Sequence, residues 1–232
     1  RAGGQYVLFI LLGSTLFLFA LGSVYAETGT LNMADLAQRV ALVDPAETVG
    51  IRVAAVLLLL VFAIKAALVP LHFWLPSSYA EAPAPVAALF AIMTKVGAYA
   101  IIRVYTIVFP PDLEATSGLH DTWLLPAALI SLAIGMVGVL AARELNRLVA
   151  FSVIGSMGMV MISISLFTPV GIAATLYYIV HSTLAAAALF LISDLVRTGR
   201  RDLYLTPQPP VAGATATAIL FFAAAIAMAG LP

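Results

Sequence analysis

Two lysines lie deep inside apolar segments of the chain, where burying a charged side chain costs free energy. Lys65 and Lys95 are the only lysines among 232 residues, and they lie about 21 Å and about 15 Å into their segments at the rise of a helix. An ionisable group at such depth costs at least ~2.5–3.5 kcal/mol and is by default a functional candidate. Lysine removed from water can gain and lose a proton near neutral pH, whereas arginine cannot. The pair therefore suggests proton or cation translocation. The alternative is that each lysine only pairs with a neighbour or a backbone carbonyl.

A histidine occupies a comparable position further along the chain. His181 follows Tyr177 and Tyr178 by four and three residues, so the three side chains share one face of a helix. A histidine can relay protons because it titrates close to physiological pH. It can equally act as a hydrogen-bonded contact between membrane helices.

Proline and serine residues could support these candidates. Pro70 removes a backbone hydrogen bond and is followed at once by His72, so we expect the helix to break just after Lys65 and to expose the lysine to water. Ser152 and Ser156 lie one turn apart and could hold waters between the lysines. Small polar residues also let membrane helices pack closely, so that interpretation stays open. Arg103, near the end of its segment, is expected to snorkel or to pair.

The composition shows that lipid is the main solvent of this chain. Hydrophobic residues make up 63% and charged residues 9%, against about half and about a quarter in soluble domains. The net charge is zero, so nothing suggests nucleic-acid binding. Cysteine is absent, which excludes disulfides, thiolate metal sites and iron–sulfur clusters within the chain. Three scattered histidines and the glycine pattern predict neither a metal nor a cofactor site.

Seven apolar segments are long enough to cross a membrane, and each must be a helix because backbone groups in lipid need internal partners. The chain is therefore predicted to be all-α, a polytopic transmembrane bundle of about seven spanning helices in one domain over 1–232, with one helix broken near Pro70. A short helix at 32–40, with Leu36 and Val40 on one face, is expected in the first link. The segments are 6–26, 51–74, 85–108, 123–142, 145–166, 170–192 and 211–229.

Arginines in the links predict the orientation. In a seven-span topology most of them fall on one side, which should be cytoplasmic; these are Arg1, Arg143, Arg147, Arg197, Arg200 and Arg201. The chain begins at Arg1 and ends at Leu231-Pro232, directly after an apolar run. We therefore expect it to be an internal fragment of a longer membrane protein.

Several motifs resemble one superfamily of membrane proteins. The stretches KAALVPLHFWLP at 65–76, YAEAPAP at 79–85 and TKVGAY at 94–99 are similar to the antiporter-like subunits shared by Mrp antiporters and respiratory complex I. RELNRLVAFSVIGSMG at 143–158, HSTLAAAALFLISDLV at 181–196 and AMAGLP at 227–232 fit the same pattern. GTLNMADLA at 29–37 most resembles the D subunit of Mrp (Mnh or Pha) antiporters. Complex I relatives often carry histidine where Ser156 stands here, which also favours Mrp.

The resemblance implies roles for the candidate residues. The seven helices would match the sixth to the twelfth of a fourteen-helix subunit. Lys65 would be the lysine of the broken seventh helix, which trades protons with an upstream glutamate. Lys95 would be the eighth-helix lysine on the central hydrophilic axis, and His181 the eleventh-helix histidine that bridges toward a charge on the broken twelfth.

The resemblance also implies a function for the whole protein. We expect a subunit of a hetero-oligomeric monovalent cation/proton antiporter, most often for Na⁺, in the lipid bilayer of the bacterial cytoplasmic membrane and without a cofactor. Such a protein would be a secondary transporter and not an enzyme. The alternative is a proton-pumping subunit of NADH:quinone oxidoreductase or of a related membrane-bound hydrogenase. A subunit that only scaffolds an active partner is a further alternative, which the two buried lysines argue against.

Overall fold

The computed structural model describes residues 2–44, 48–209 and 213–229, except for the side chains of Ala2, His120 and Asp121. Within these residues the fold is helical and contains no strand, as predicted. A 3₁₀ turn at Glu114–Thr116 and a π-helical turn at His120–Leu124 precede the sixth helix. The α-helices are α1 Ala2–Thr28, α2 Met33–Ala41, α3 Val49–Lys65, α4 Trp74–Glu81, α5 Ala84–Ile107, α6 Leu125–Ala141, α7 Leu145–Ser165, α8 Pro169–Arg200 and α9 Thr215–Met228.

Five helices of the described chain are long and apolar enough to cross a membrane, so the predicted count of about seven is approximate. They are Gly3–Thr28, Ala84–Ile107, Thr122–Ala141, Leu145–Ser165 and Pro169–Arg200. The other two predicted spans are helical but shorter, because α3 has 17 residues and α9 has 14. The first residues of the predicted segment 211–229 lie outside the described part of the chain, as do Arg1 and the last three residues.

The short helix of the first link is present as predicted. The Asn32 side chain caps α2 by accepting a hydrogen bond from the Ala34 N–H at 3.0 Å, and Leu36 and Val40 are buried beneath it. Arg39 lies 3.1 Å from Asp35 one turn earlier, and its hydrogen bond lowers the pKa of the Asp35 carboxyl. A conventional cap and one apolar face therefore make α2 predictable from the sequence.

The pair α6–α7 forms the close-packed centre of the described bundle. A Cβ atom on Gly135 would lie 2.3 Å from the backbone nitrogen of Gly155, and one on Gly158 would lie 2.5 Å from that of Leu132. Backbones come this close only where side chains are missing, which is how small residues drive helix association in lipid. In the most apolar 18-residue stretch of each helix, 67% is buried in α7 and 17% in α1. The bundle is therefore built around α7.

Two arginine-bearing links meet at one end of the bundle. The Leu145 N–H donates to the Leu203 carbonyl at 2.9 Å, and the Leu205 N–H donates to the Arg143 carbonyl at 2.9 Å. The segment after α8 therefore lies along the turn between α6 and α7, as the predicted topology requires. That this end is cytoplasmic stays a prediction.

Gly135 and Gly22 allow one substitution to be compared in two settings. Gly135→Ala should destabilise the protein by about 1–3 kcal/mol, because the new methyl group meets backbone that cannot move aside. Gly22→Ala should be neutral or stabilising by up to about 1 kcal/mol, since a Cβ there has nothing within 4 Å and alanine favours helix. Thermal unfolding of the detergent-purified protein, followed by fluorescence-detected size exclusion, measures both. Equal midpoints for the two variants would contradict this packing.

Candidate functional site

Helix α3 stops at Lys65, inside the segment that was predicted to span the membrane. Residues 66–73 form turns before α4 begins, and Ala67 adopts a left-handed conformation with φ of 53°. The break near Pro70 is therefore confirmed, and it begins four residues earlier, at Ala66. The reason is steric: in a continuous helix the Pro70 ring would clash with the Ala66 carbonyl.

Two side chains bond to backbone groups at the break, and the first of these groups, the Ile64 carbonyl, also accepts from the Ala67 N–H. The Trp74 indole N–H donates to the Ile64 carbonyl at 3.1 Å, which is one of the last carbonyls of α3. The Val69 N–H donates to the Ser131 hydroxyl of α6 at 2.9 Å. Neither contact was predicted, since Ser131 looks in sequence like any other small polar residue of a membrane helix.

Helix α4, which follows the break, is held in place by two hydrogen bonds. The Asn146 amide at the start of α7 donates to the Ala80 carbonyl at 3.1 Å, and the Tyr79 hydroxyl donates to the Phe90 carbonyl of α5. His72 lies within the turns and is 6% exposed, with its ring centroid 4.4 Å from that of Phe73. The break is thus bonded to α6, and the helix that follows it is bonded to α5 and α7.

Lys65 is half-buried at the wall of a cavity of about 620 Å³ between α1, α3 and α5. Apolar side chains form most of the wall, and the lining residues are Ser14, Phe17, Leu18, Val61, Phe62, Lys65, Met93, Val96, Gly97 and Ala100. The lysine therefore has room beside it, in a cavity with mostly apolar walls, and the expected exposure to water stays a prediction.

Lys95 of α5 is 2% exposed. Its Nζ atom has no hydrogen-bond partner among the described residues. Two residues later, a Cβ on Gly97 would lie 2.7 Å from the Ala66 nitrogen and 3.0 Å from the Lys65 carbonyl carbon. The helix that carries Lys95 thus touches, through Gly97, the peptide that follows Lys65. Residues two apart do not share a helix face, so this contact joins the two helices and not the two lysine side chains.

His181 is held at the end of α9. Its Nε2 atom lies 2.6 Å from the Ala227 carbonyl, and because a carbonyl only accepts, Nε2 carries the hydrogen of this bond. The rings of Tyr177 and Tyr178 both have centroids 6.2 Å from the histidine ring, so the predicted shared face is present. Tyr177 is 74% exposed on the described chain.

The serines of α7 make only local hydrogen bonds in the described structure. The Ser152 hydroxyl donates to the Val149 carbonyl at 2.7 Å, and the Ser156 hydroxyl donates to the Val153 carbonyl at 2.9 Å. Ser156 is buried and Ser152 is half-buried. These bonds fit serines that let helices pack, and neither hydroxyl bonds to a lysine.

Comparison with known sequences agrees with the motifs. The chain matches, over residues 1–232, the family described as NADH:quinone oxidoreductase/Mrp antiporter, TM. It is 40% identical over 200 residues to the D subunit of a probable K⁺/H⁺ antiporter of Rhizobium meliloti, covering 86% of this chain and 37% of that protein. It is 38% identical over 239 residues to the D subunit of the Na⁺/H⁺ antiporter of Bacillus subtilis, covering 100% of this chain and 46% of that protein. The chain thus spans less than half the length of these curated relatives.

Solved structures share the fold. A chain of the Mrp complex from a Dietzia species superposes with a TM-score of 0.84 and 30% identity, covering 100% of this chain and 42% of that one. A chain of respiratory complex I from Thermus thermophilus superposes with a TM-score of 0.87 and 28% identity, covering 100% of this chain and 49% of that one. This multi-pass membrane chain therefore belongs to the NADH:quinone oxidoreductase/Mrp antiporter transmembrane family.

Proposed function

We propose that the protein is a subunit of a multisubunit monovalent cation/proton antiporter of the bacterial cytoplasmic membrane, and that protons pass through Lys65, Lys95 and His181. The burial of Lys95 carries this proposal: the side chain is 2% exposed and its Nζ lacks a hydrogen-bond partner among the described residues. A structural ion pair would give the amine a carboxylate partner. A proton carrier instead needs an amine that can be neutral in one state and charged in another.

The contact at Gly97 supports coupling between the two lysines. Gly97 is two residues from Lys95 and packs against the peptide between Lys65 and Ala66. Because this contact joins the two helices directly, we expect a change of charge at one lysine to act on the other through the packed backbones. Ionisable groups that interact in this way titrate as a pair and not as independent groups.

Of the three proposed proton carriers, His181 would be the one nearest α9. With Nε2 fixed on the Ala227 carbonyl, the ring keeps one orientation while Nδ1 gains or loses a proton. The histidine is thereby joined to α9 through a backbone carbonyl near the end of the described part of that helix.

The relatives favour the antiporter over the redox-driven alternative. Identity is 40% and 38% to two proteins named as antiporter subunits, and 28% to the complex I chain. An antiporter subunit of this kind would work with other membrane subunits as a hetero-oligomer. One relative is named for K⁺ and the other for Na⁺, so both cations belong in any test.

Lys95→Ala should lower cation/proton antiport about 100-fold or more, because it removes the only proton-carrying group at its position. The full-length protein, co-expressed with its neighbouring subunits, is assayed in everted vesicles by Na⁺- or K⁺-induced dequenching of a pH dye. Arg103→Gln is the control, since it removes a cation from the exposed side of the same helix and should leave the rate unchanged.

Either of two results would contradict the proposal. Wild-type antiport in Lys95→Ala would remove this lysine from the proton path. Vesicles that respond to neither cation but acidify when NADH is added would place the protein in a redox-driven complex.

Lys65→Arg separates a proton carrier from a structural cation. Arginine keeps the charge and has room beside the cavity of about 620 Å³, but it does not release its proton. We therefore expect antiport as low as in Lys65→Ala, with both variants assembling to the wild-type level on blue native gels. Activity retained by arginine and lost by alanine would show that Lys65 supplies only a fixed charge.

A further inference from the structure

We infer that Ser131 of α6 is a positioning residue that fixes the non-helical segment 66–73 and, through it, the end of α3 at Lys65. The inference rests on the proposed function, in which Lys65 carries protons. It concerns a residue on a different helix, which does not itself take part in proton transfer.

The Ser131 hydroxyl joins two elements at once. It accepts a hydrogen bond from the Val69 N–H at 2.9 Å and donates its own hydrogen to the Ala127 carbonyl at 2.7 Å. A hydroxyl has one hydrogen and two lone pairs, so both bonds form together and each has a fixed direction. The residue is fully buried, with 0% of its surface exposed, and no bulk water competes for either bond.

Val69 is the position at which the segment turns away from α3. The three preceding N–H groups still bond back to carbonyls of α3, at Phe62, Ile64 and Ala63. Pro70 follows Val69 and has no N–H to donate. The Val69 N–H goes instead to a residue 62 positions away, and in hydrocarbon its loss would leave an unsatisfied donor.

Ser131 lies next to the close-packed contact between α6 and α7. Its neighbour Leu132 lies against Gly158 of α7, where even a Cβ atom would be 2.5 Å from the Leu132 nitrogen. One turn further on, Gly135 approaches Gly155 equally closely. The hydrogen bond therefore ties the non-helical segment, at the N–H that no longer bonds back to α3, to two closely packed backbones. This sets where α3 ends relative to α6 and α7.

Among the described residues, the other buried serines do not make such a link. The Ser193 hydroxyl, 1% exposed on α8, donates to the Phe190 carbonyl of its own helix at 2.7 Å. Ser156 does the same within α7. Ser193→Ala therefore removes a buried hydroxyl of the same kind without touching the break, and it is the matched control for Ser131→Ala.

The test uses the full-length protein in its assembled complex and two measurements. Amide hydrogen exchange, followed by mass spectrometry, should become about fivefold faster for the 66–73 peptide in Ser131→Ala, the factor that corresponds to one hydrogen bond of ordinary net strength. Antiport per assembled complex should fall by a similar factor. Ser131→Thr, which keeps the hydroxyl, should restore both, and Ser193→Ala should change neither.

The outcomes separate this inference from the proposed function. If Lys65→Ala abolishes antiport while Ser131→Ala leaves antiport unchanged, the positioning role is wrong and the function stands. If Lys65→Ala keeps wild-type antiport, the proposed function fails and the inference fails with it. Exchange that accelerates equally in α7 and α8 would also overturn the inference, because it would show general unfolding and not release of one segment.

Discussion

A helix that stops inside hydrocarbon leaves backbone groups that no water can satisfy, and the arrangement around Lys65 follows from this constraint. The Ile64 carbonyl accepts from Trp74 in addition to the Ala67 N–H, and the N–H of Val69 donates to Ser131. The first partner comes from the chain just after the break, and the second comes from another helix. The break is therefore possible only because α6 stands beside it, and α6 is held there by its glycine contacts with α7.

The same constraint explains which features could be predicted from sequence. Every apolar segment had to be helical, and the proline after Lys65 had to interrupt one of them, so the class of fold and the broken helix were both predictable. The short helix α2 was predictable because its cap and its apolar face are local signals. The count of spans was predicted less well, since the break left α3 shorter than the apolar segment that contains it.

The contacts within the site could be predicted only in part. The shared face of His181, Tyr177 and Tyr178 follows from helical spacing, and the structure has it. The bond from Val69 to Ser131 joins residues 62 positions apart, and no periodicity within one helix can indicate such a pair. The approach of Gly97 to the Lys65 peptide is similar, because it depends on how two helices cross and not on either sequence alone.

The lengths of α3 and α8 imply different responses to bilayer thickness. At 1.5 Å per residue, α8 with 32 residues extends about 48 Å and α3 with 17 extends about 26 Å, whereas a typical hydrocarbon core is about 30 Å thick. The long helix can meet a thicker or thinner bilayer by changing its tilt or by exposing another turn. Helix α3 alone is shorter than that core, so the rest of its crossing falls to the turns at 66–73 and to α4. A change of bilayer thickness would therefore act first on the broken helix, at the turns beside Lys65.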